Sequence, residues 1–235
     1  TYRFTVNDKF DYSNMKLVSE RPELFTVKIN GEQVKPIPGE WWLDRSFGVY
    51  AIGKQVKTGL NTVELSVSPM SIFAEIEPVY VLGDFAVIPE KLGWSISAPV
   101  ENLTLGSWKA QKQPFYSWGV SYSKDFEVES LSTPYAVQLN DWKGTIAEVY
   151  VNDQKAGIIA YDPYRLDVTS YLKEGKNKID IRVIGSHKNL LGPHYRNPAP
   201  GLASPWHWKG IEKPIPGSEY QMMDYGLMTD FDLVR

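Results

Sequence analysis

The chain has 235 residues, of which 43% are hydrophobic and 23% charged, and its net charge is -3. That length holds two ordinary domains or one large one, and the charge offers no electrostatic reason for a nucleic-acid partner or an anionic membrane surface. With no cysteine, disulfides, thiolate metal sites and a cysteine nucleophile are excluded; no apolar run approaches the length of a membrane span.

From the N-terminus, Phe4-Thr5-Val6 and Val27-Lys28-Ile29 read as short strands. Asn30-Gly31, between Val27/Ile29 and Gln33/Val34, is a two-residue hairpin turn, because both positions need positive φ. Trp41 and Trp42 follow Pro38-Gly39-Glu40, and strand alternation sends one of the two to the surface. Val56 is an apolar anchor before Gly59-Leu60-Asn61, where a single helical turn should reverse into a strand. In that strand Val63, Leu65 and Val67 face one side, and Thr62, Glu64 and Ser66 the other. A period of two over so short a span means a half-buried strand. The first module is expected to span 1–88. Pro89 to Gly93 reads as the junction, and Trp94 to Ser123 as the opening strands of the second module, 89–235.

The second module repeats the first. Phe126-Glu127-Val128 matches Phe4-Thr5-Val6, and Val149-Tyr150-Val151-Asn152-Asp153 matches Val27-Lys28-Ile29-Asn30-Gly31. Leu172 and Gly175-Lys176-Asn177 restate Val56 and Gly59-Leu60-Asn61, before Ile179, Ile181 and Val183 alternate with Lys178, Asp180 and Arg182. Gly226 to Leu233 reads as the counterpart of Tyr80 to Val87. Between them lies a long loop insertion at about 184–224, which holds all three histidines. Many short antiparallel strands, without a convincing amphipathic helix, give an all-β fold of two tandem antiparallel β-sandwiches.

Pro114 to Tyr122, Phe126-Glu127-Val128, Trp142 to Asn152 and Asp167-Val168-Thr169 through Asn177 carry a family likeness. This set resembles the sugar-binding-type jelly-roll domain of family 2 glycoside hydrolases. More closely, it resembles the C-terminal β-sandwich region of bacterial α-L-rhamnosidase-like enzymes. There a V-x-V-N-G hairpin precedes D-V-T-x-x-L-x-x-G-x-N within a galactose-binding-like fold. The likeness covers most of 114–183 and, more faintly, 4–67. It departs at Asp153, where glycine is usual, and in the long loop after Val183.

The resemblance implies a jelly-roll (galactose-binding-like) sandwich without catalytic residues, since the carboxylates of such enzymes lie in a separate barrel. The implied role is an accessory region that supports the catalytic domain of the same parent chain. The implied compartment is periplasmic or extracellular, with this chain a piece cut from the exported whole. Carbohydrate is a further partner. Autonomous carbohydrate-binding module, structural spacer and β-sandwich hydrolase remain rival readings. Calcium recurs as a structural ligand in such sandwiches, but no site can be assembled here.

Candidate ligand residues concentrate in the insertion. Trp206 and Trp208 offer faces for stacking on a pyranose, with Tyr195 beside them, and His194, Arg196 and His207 offer donors to hydroxyls. The competing reading is that this loop covers a sandwich end or docks a neighbouring domain. The spacings of His187, His194 and His207 match no common zinc pattern. Asp224, Asp230, Asp232, Glu212 and Glu219 gather near the C-terminus, but strand-surface and turn roles suit them better than a glycosidase carboxylate pair.

Overall fold

A computed structural model of the chain describes residues 1–192, 194 and 215–235. Apart from short 3-10 turns and one short helix, α1 (Lys188–Leu191), its regular elements are strands. The chain divides into two compact units, 1–100 with 214–218, and 101–213 with 219–235.

The first unit holds β1 (Tyr2–Val6), β2 (Lys16–Glu20), β3 (Thr26–Ile29), β4 (Glu32–Val34), β5 (Trp41–Trp42), β6 (Asp44–Ala51), β7 (Gly59–Ser66), β8 (Tyr80–Leu82), β9 (Ala86–Pro89) and β10 (Trp94–Ser97). One sheet has the order β4-β3-β7-β1-β10-β9 and the other β5-β6-β2-β8. All pairings are antiparallel except β1 with β10. Val6, Val27, Ile29 and Val63 from one sheet, and Leu17, Val18, Val49 and Tyr50 from the other, are buried. Removing each such side chain from water contributes about 1.5–3 kcal/mol.

The second unit holds β11 (Gly119–Val128), β12 (Ala136–Gln138), β13 (Trp142–Lys143), β14 (Ile146–Val151), β15 (Gln154–Ile159), β16 (Arg165–Asp167), β17 (Gly175–Ile184), β18 (Gly226–Leu227) and β19 (Asp232–Val234). The sheet β11-β17-β14-β15 is accompanied by β16-β12-β19 and by the pair β13-β18. Ala147, Val149 and Val151 on β14, and Ile179, Ile181 and Val183 on β17, enter one core with Val137, Leu139 and Phe231. The alternating residues do the opposite: on the outer face Glu148 pairs with Lys155 at 2.5 Å and Arg182 at 3.5 Å. Trp108 is buried in the same core because its indole N–H donates to the Tyr122 hydroxyl at 2.8 Å. A buried donor without such a partner costs a few kcal/mol.

The motif that recurs in sequence recurs as a set of hydrogen bonds. Asn61 is fully buried; its side-chain oxygen accepts from Lys57 N at 3.0 Å, and its amide donates to Lys57 O at 2.7 Å and Gly59 O at 3.0 Å. Asn30, at the hairpin turn, donates to Asn61 Oδ1 at 2.9 Å and accepts from Thr62 N at 2.9 Å. In the second unit Asn177 binds Lys173 N, Lys173 O and Gly175 O at 3.0, 2.7 and 2.9 Å. Asn152 again donates to its partner asparagine at 2.9 Å and accepts from Lys178 N at 3.1 Å. Each pair therefore ties a hairpin turn to the turn that opens the central strand. Both hairpins take the predicted two-residue form, with φ of 50° and 86° at Asn30-Gly31 and 50° and 66° at Asn152-Asp153.

Two expectations are corrected. Trp94–Ser97 does not open the second unit: it is β10, parallel to β1 through Val6 and Ile96, and paired with β9. Local alternation identifies a strand but not a partner so distant in sequence. The closing segments also differ from the sequence alignment. β8 pairs with β2, as β19 pairs with β12, whereas β18 pairs with β13. Tyr80–Leu82 is thus matched in pairing by Asp232–Val234, not by Gly226–Leu227. Short apolar runs resemble one another too closely to fix that register.

Candidate functional site at the stem of the insertion

The connection from β17 to β18 leaves the core at Gly185 and returns at Tyr225, and its two ends are fastened together. The Ser186 and Tyr225 hydroxyls share a hydrogen bond. One turn further out is Asn189, which is buried on α1 and fully satisfied. Its amide donates to Pro114 O at 2.9 Å and Met223 O at 2.8 Å, and its oxygen accepts from Met223 N at 2.8 Å. Gln221 N then donates to His194 O at 2.7 Å. The His194 ring stacks on Tyr220 at 5.2 Å and meets the Phe115 edge at 5.7 Å. A side chain such as Asn189 closes the loop at its base because its one oxygen and two N–H groups match the Met223 N–H and the carbonyls of Met223 and Pro114.

His194 therefore has a role set by burial. Loss of water pushes its pKa below the ordinary histidine value; Lys188 pushes the same way, and the contact of Nε2 with Asn189 O at 2.5 Å opposes both. A neutral imidazole, packed between rings, props the stem rather than reaching for solvent. Of the six predicted ligand residues, His194 alone is among the described residues. Tyr195, Arg196, Trp206, His207 and Trp208 lie outside them.

Beside the stem, Trp118 precedes β11 and is 57% exposed. His187 stands edge-on to it at 5.9 Å and 85°. With more than half of its surface open to solvent, the indole offers flat apolar area suited to stacking against the C–H face of a sugar or another flat apolar group. Sequence reasoning missed Trp118 and Asn189. The Trp sits in a segment that reads as a strand opening, and a lone Asn in a loop carries no periodic signal.

Three of the C-terminal carboxylates are already engaged. Asp224 accepts from Ser107 Oγ at 2.6 Å and pairs with Lys109 at 3.1 Å, and these contacts, the serine first, hold its pKa low. Asp230 pairs with Lys124 at 2.6 Å, and Asp232 accepts from Asn140 at 2.9 Å. Glu212 lies outside the described residues. Trp142 is a corner residue, half-buried against Tyr164 at 5.5 Å. Among the described residues, no group of three His, Asp or Glu side chains is placed to hold a metal ion, and no helix is long and apolar enough to cross a membrane.

No family profile matches the chain. Two proteins of Formosa agariphila, each named "Putative beta-glucuronidase", are similar to it: one is 30% identical over 42% of this chain, the other 34% identical over 34%. The chain spans 10% of the length of each. Its named relatives are glycoside hydrolases.

Solved structures that resemble it are a rhamnosidase from Novosphingobium sp. PP1Y, the Bifidobacterium dentium β-glucuronidase and a β-D-mannosidase from Dictyoglomus thermophilum. The first is 18% identical and covers 98% of this chain and 21% of its own, with a TM-score of 0.39. The second is 21% identical over 57% and 24%, with a TM-score of 0.35. The third is 18% identical over 65% and 22%, with a TM-score of 0.33. Likeness at this level bears on neither ligand nor mechanism.

Proposed function

We propose that the chain is a non-catalytic accessory region of an exported glycoside hydrolase, built of two galactose-binding-like jelly-roll sandwiches that brace the catalytic domain of the same polypeptide. The observation that carries this reading is the fate of the repeated polar residues. Asn30, Asn61, Asn152 and Asn177 are the motif that recurs, and their side chains are engaged with backbone and with one another. Residues held in this way build a frame, and the polar atoms of these four side chains are spent on it. The similarity to glucuronidase-named proteins over a small share of their length supports the same role.

Carbohydrate capture is the finer part of the proposal, and it belongs to the second unit. There the fastened stem stands beside the exposed indole of Trp118, and the sequence of the insertion supplies Trp206 and Trp208. A calorimetric titration of the 235-residue chain against plant and bacterial oligosaccharides tests it. Binding at millimolar strength or better is expected, and it should vanish in Trp118→Ala and in Trp206→Ala with Trp208→Ala. The absence of binding to any glycan removes the capture role and leaves the brace. Turnover of aryl-glycosides by the isolated chain overturns the non-catalytic reading altogether.

A further inference from the structure

The segment that links β7 to β8 in the first unit occupies the same place in chain order as the insertion does in the second. It is short, and it is apolar where loops are usually polar. Ile72 is 90% exposed and Ile76 93%, with Met70 and Phe73 also open to solvent. Isolated exposed aliphatic groups need no explanation, but several on one short segment mark a contact surface.

Two of them, Ile72 and Phe73, line a groove of about 170 Å³ together with Glu20 at the end of β2, Arg21 and Phe25. Its polar groups are unequal in sign. Arg21 is already engaged, with Nε 2.5 Å from Glu23 and its guanidinium 5.8 Å from the Phe73 ring centre. Its backbone is left-handed, with φ of 50°, which turns the side chain at the strand end. Glu20, Glu75 and Glu77 line the same groove, and among the described residues no lysine or arginine forms an ion pair with any of them. Burial, with Glu20 and Glu75 nearby, pushes the Glu77 carboxyl above its ordinary value. Like charges held together in this way are relieved by a cation, and the apolar wall rewards an aliphatic stem beside it.

We propose that this groove docks a polypeptide segment that presents a lysine or arginine next to an aliphatic side chain. The aliphatic group packs on Ile72 and Phe73 while the cation sits among Glu20, Glu75 and Glu77. Charge complementarity decides the occupant: an acidic or purely apolar segment gains nothing from the three carboxylates and leaves them crowded. A lysine or arginine suits the mixture because its methylene stem and charged head are satisfied by different walls of the same groove.

The test uses the whole 235-residue chain and two short peptides, one alternating lysine with leucine and the other glutamate with leucine. Binding is followed by backbone amide chemical shifts. The lysine peptide should move the amides of Glu20, Arg21 and Ser71 to Glu77, and the glutamate peptide should move none of them. Glu75→Lys with Glu77→Lys should weaken the lysine peptide about tenfold or more. Glu101→Lys, an exposed acid of the second unit, should leave its affinity unchanged. Shifts spread evenly over acidic surface, equal binding by both peptides, or an unaffected double variant would each overturn the proposal. Shifts at the groove that depend on protein concentration without peptide would assign it to a second copy of this chain, and that also overturns it.

Discussion

At the scale of single residues, the fold is held by asparagines that a composition count would assign to turns. Asn61 and Asn177 have no exposure and each satisfies three backbone groups. Replacement by alanine takes away the side-chain partner of those groups and of the one N–H that Asn30 or Asn152 donates to it. The expected cost is about 3 kcal/mol for Asn61→Ala or Asn177→Ala, each confined to its own unit. Hydrogen exchange resolved by unit checks this. Equal loss of protection in both units, or a change under about 0.5 kcal/mol, would refute the role. The Gly-x-Asn pattern was legible as a turn because turn chemistry is local. Its partner across the sheet was not, since nothing in the order of residues says that Asn30 donates to Asn61.

At the scale of elements, strands were readable and their neighbours only partly so. The alternation at Ile179, Ile181 and Val183 and the turn at Asn30-Gly31 carried their own evidence, because both depend on adjacent residues. The parallel placement of Trp94–Ser97 beside β1 did not, because it joins segments that are far apart in sequence. The insertion was legible as an interruption, but its stem was not: Asn189, His194 and Met223 act through contacts with each other.

That stem should respond to pH. His194 has a folded-state pKa below its unfolded value, so the unfolded stem binds the proton more readily. The stabilisation is therefore complete above about pH 6.5 and is lost as pH falls through the depressed folded value. Protection of the Gln221 amide, which donates to His194 O, should fall between about pH 7.5 and 5 after correction for intrinsic exchange. His194→Phe should flatten that profile. An unchanged slope in the variant would mean another group governs the stem.

At the scale of the whole molecule, the units do not follow the chain as two consecutive pieces. The first is completed by 214–218. Gly93 N donates to Ile215 O at 3.1 Å, and Gly217 N donates to Glu90 O at 2.9 Å. Gly217 is confined there, because a Cβ at that position would stand 2.1 Å from Gly93 O. Gly217→Ala should therefore destabilise the first unit by about 1–3 kcal/mol. Limited proteolysis should then cut within 1–100 sooner than within the β11-β17-β14-β15 sheet. The reverse order of cleavage would show that the returning segment adds nothing to the first unit.

This return also sets a calendar for synthesis. Domains ordinarily fold in the order in which they leave the ribosome. Here Ile184 ends the last strand of the second unit's four-stranded sheet before Gly217 has been translated. The unit that begins the chain is thus one that must wait, with its β9-β10 edge unfinished until the four-stranded sheet of the later unit has already been translated.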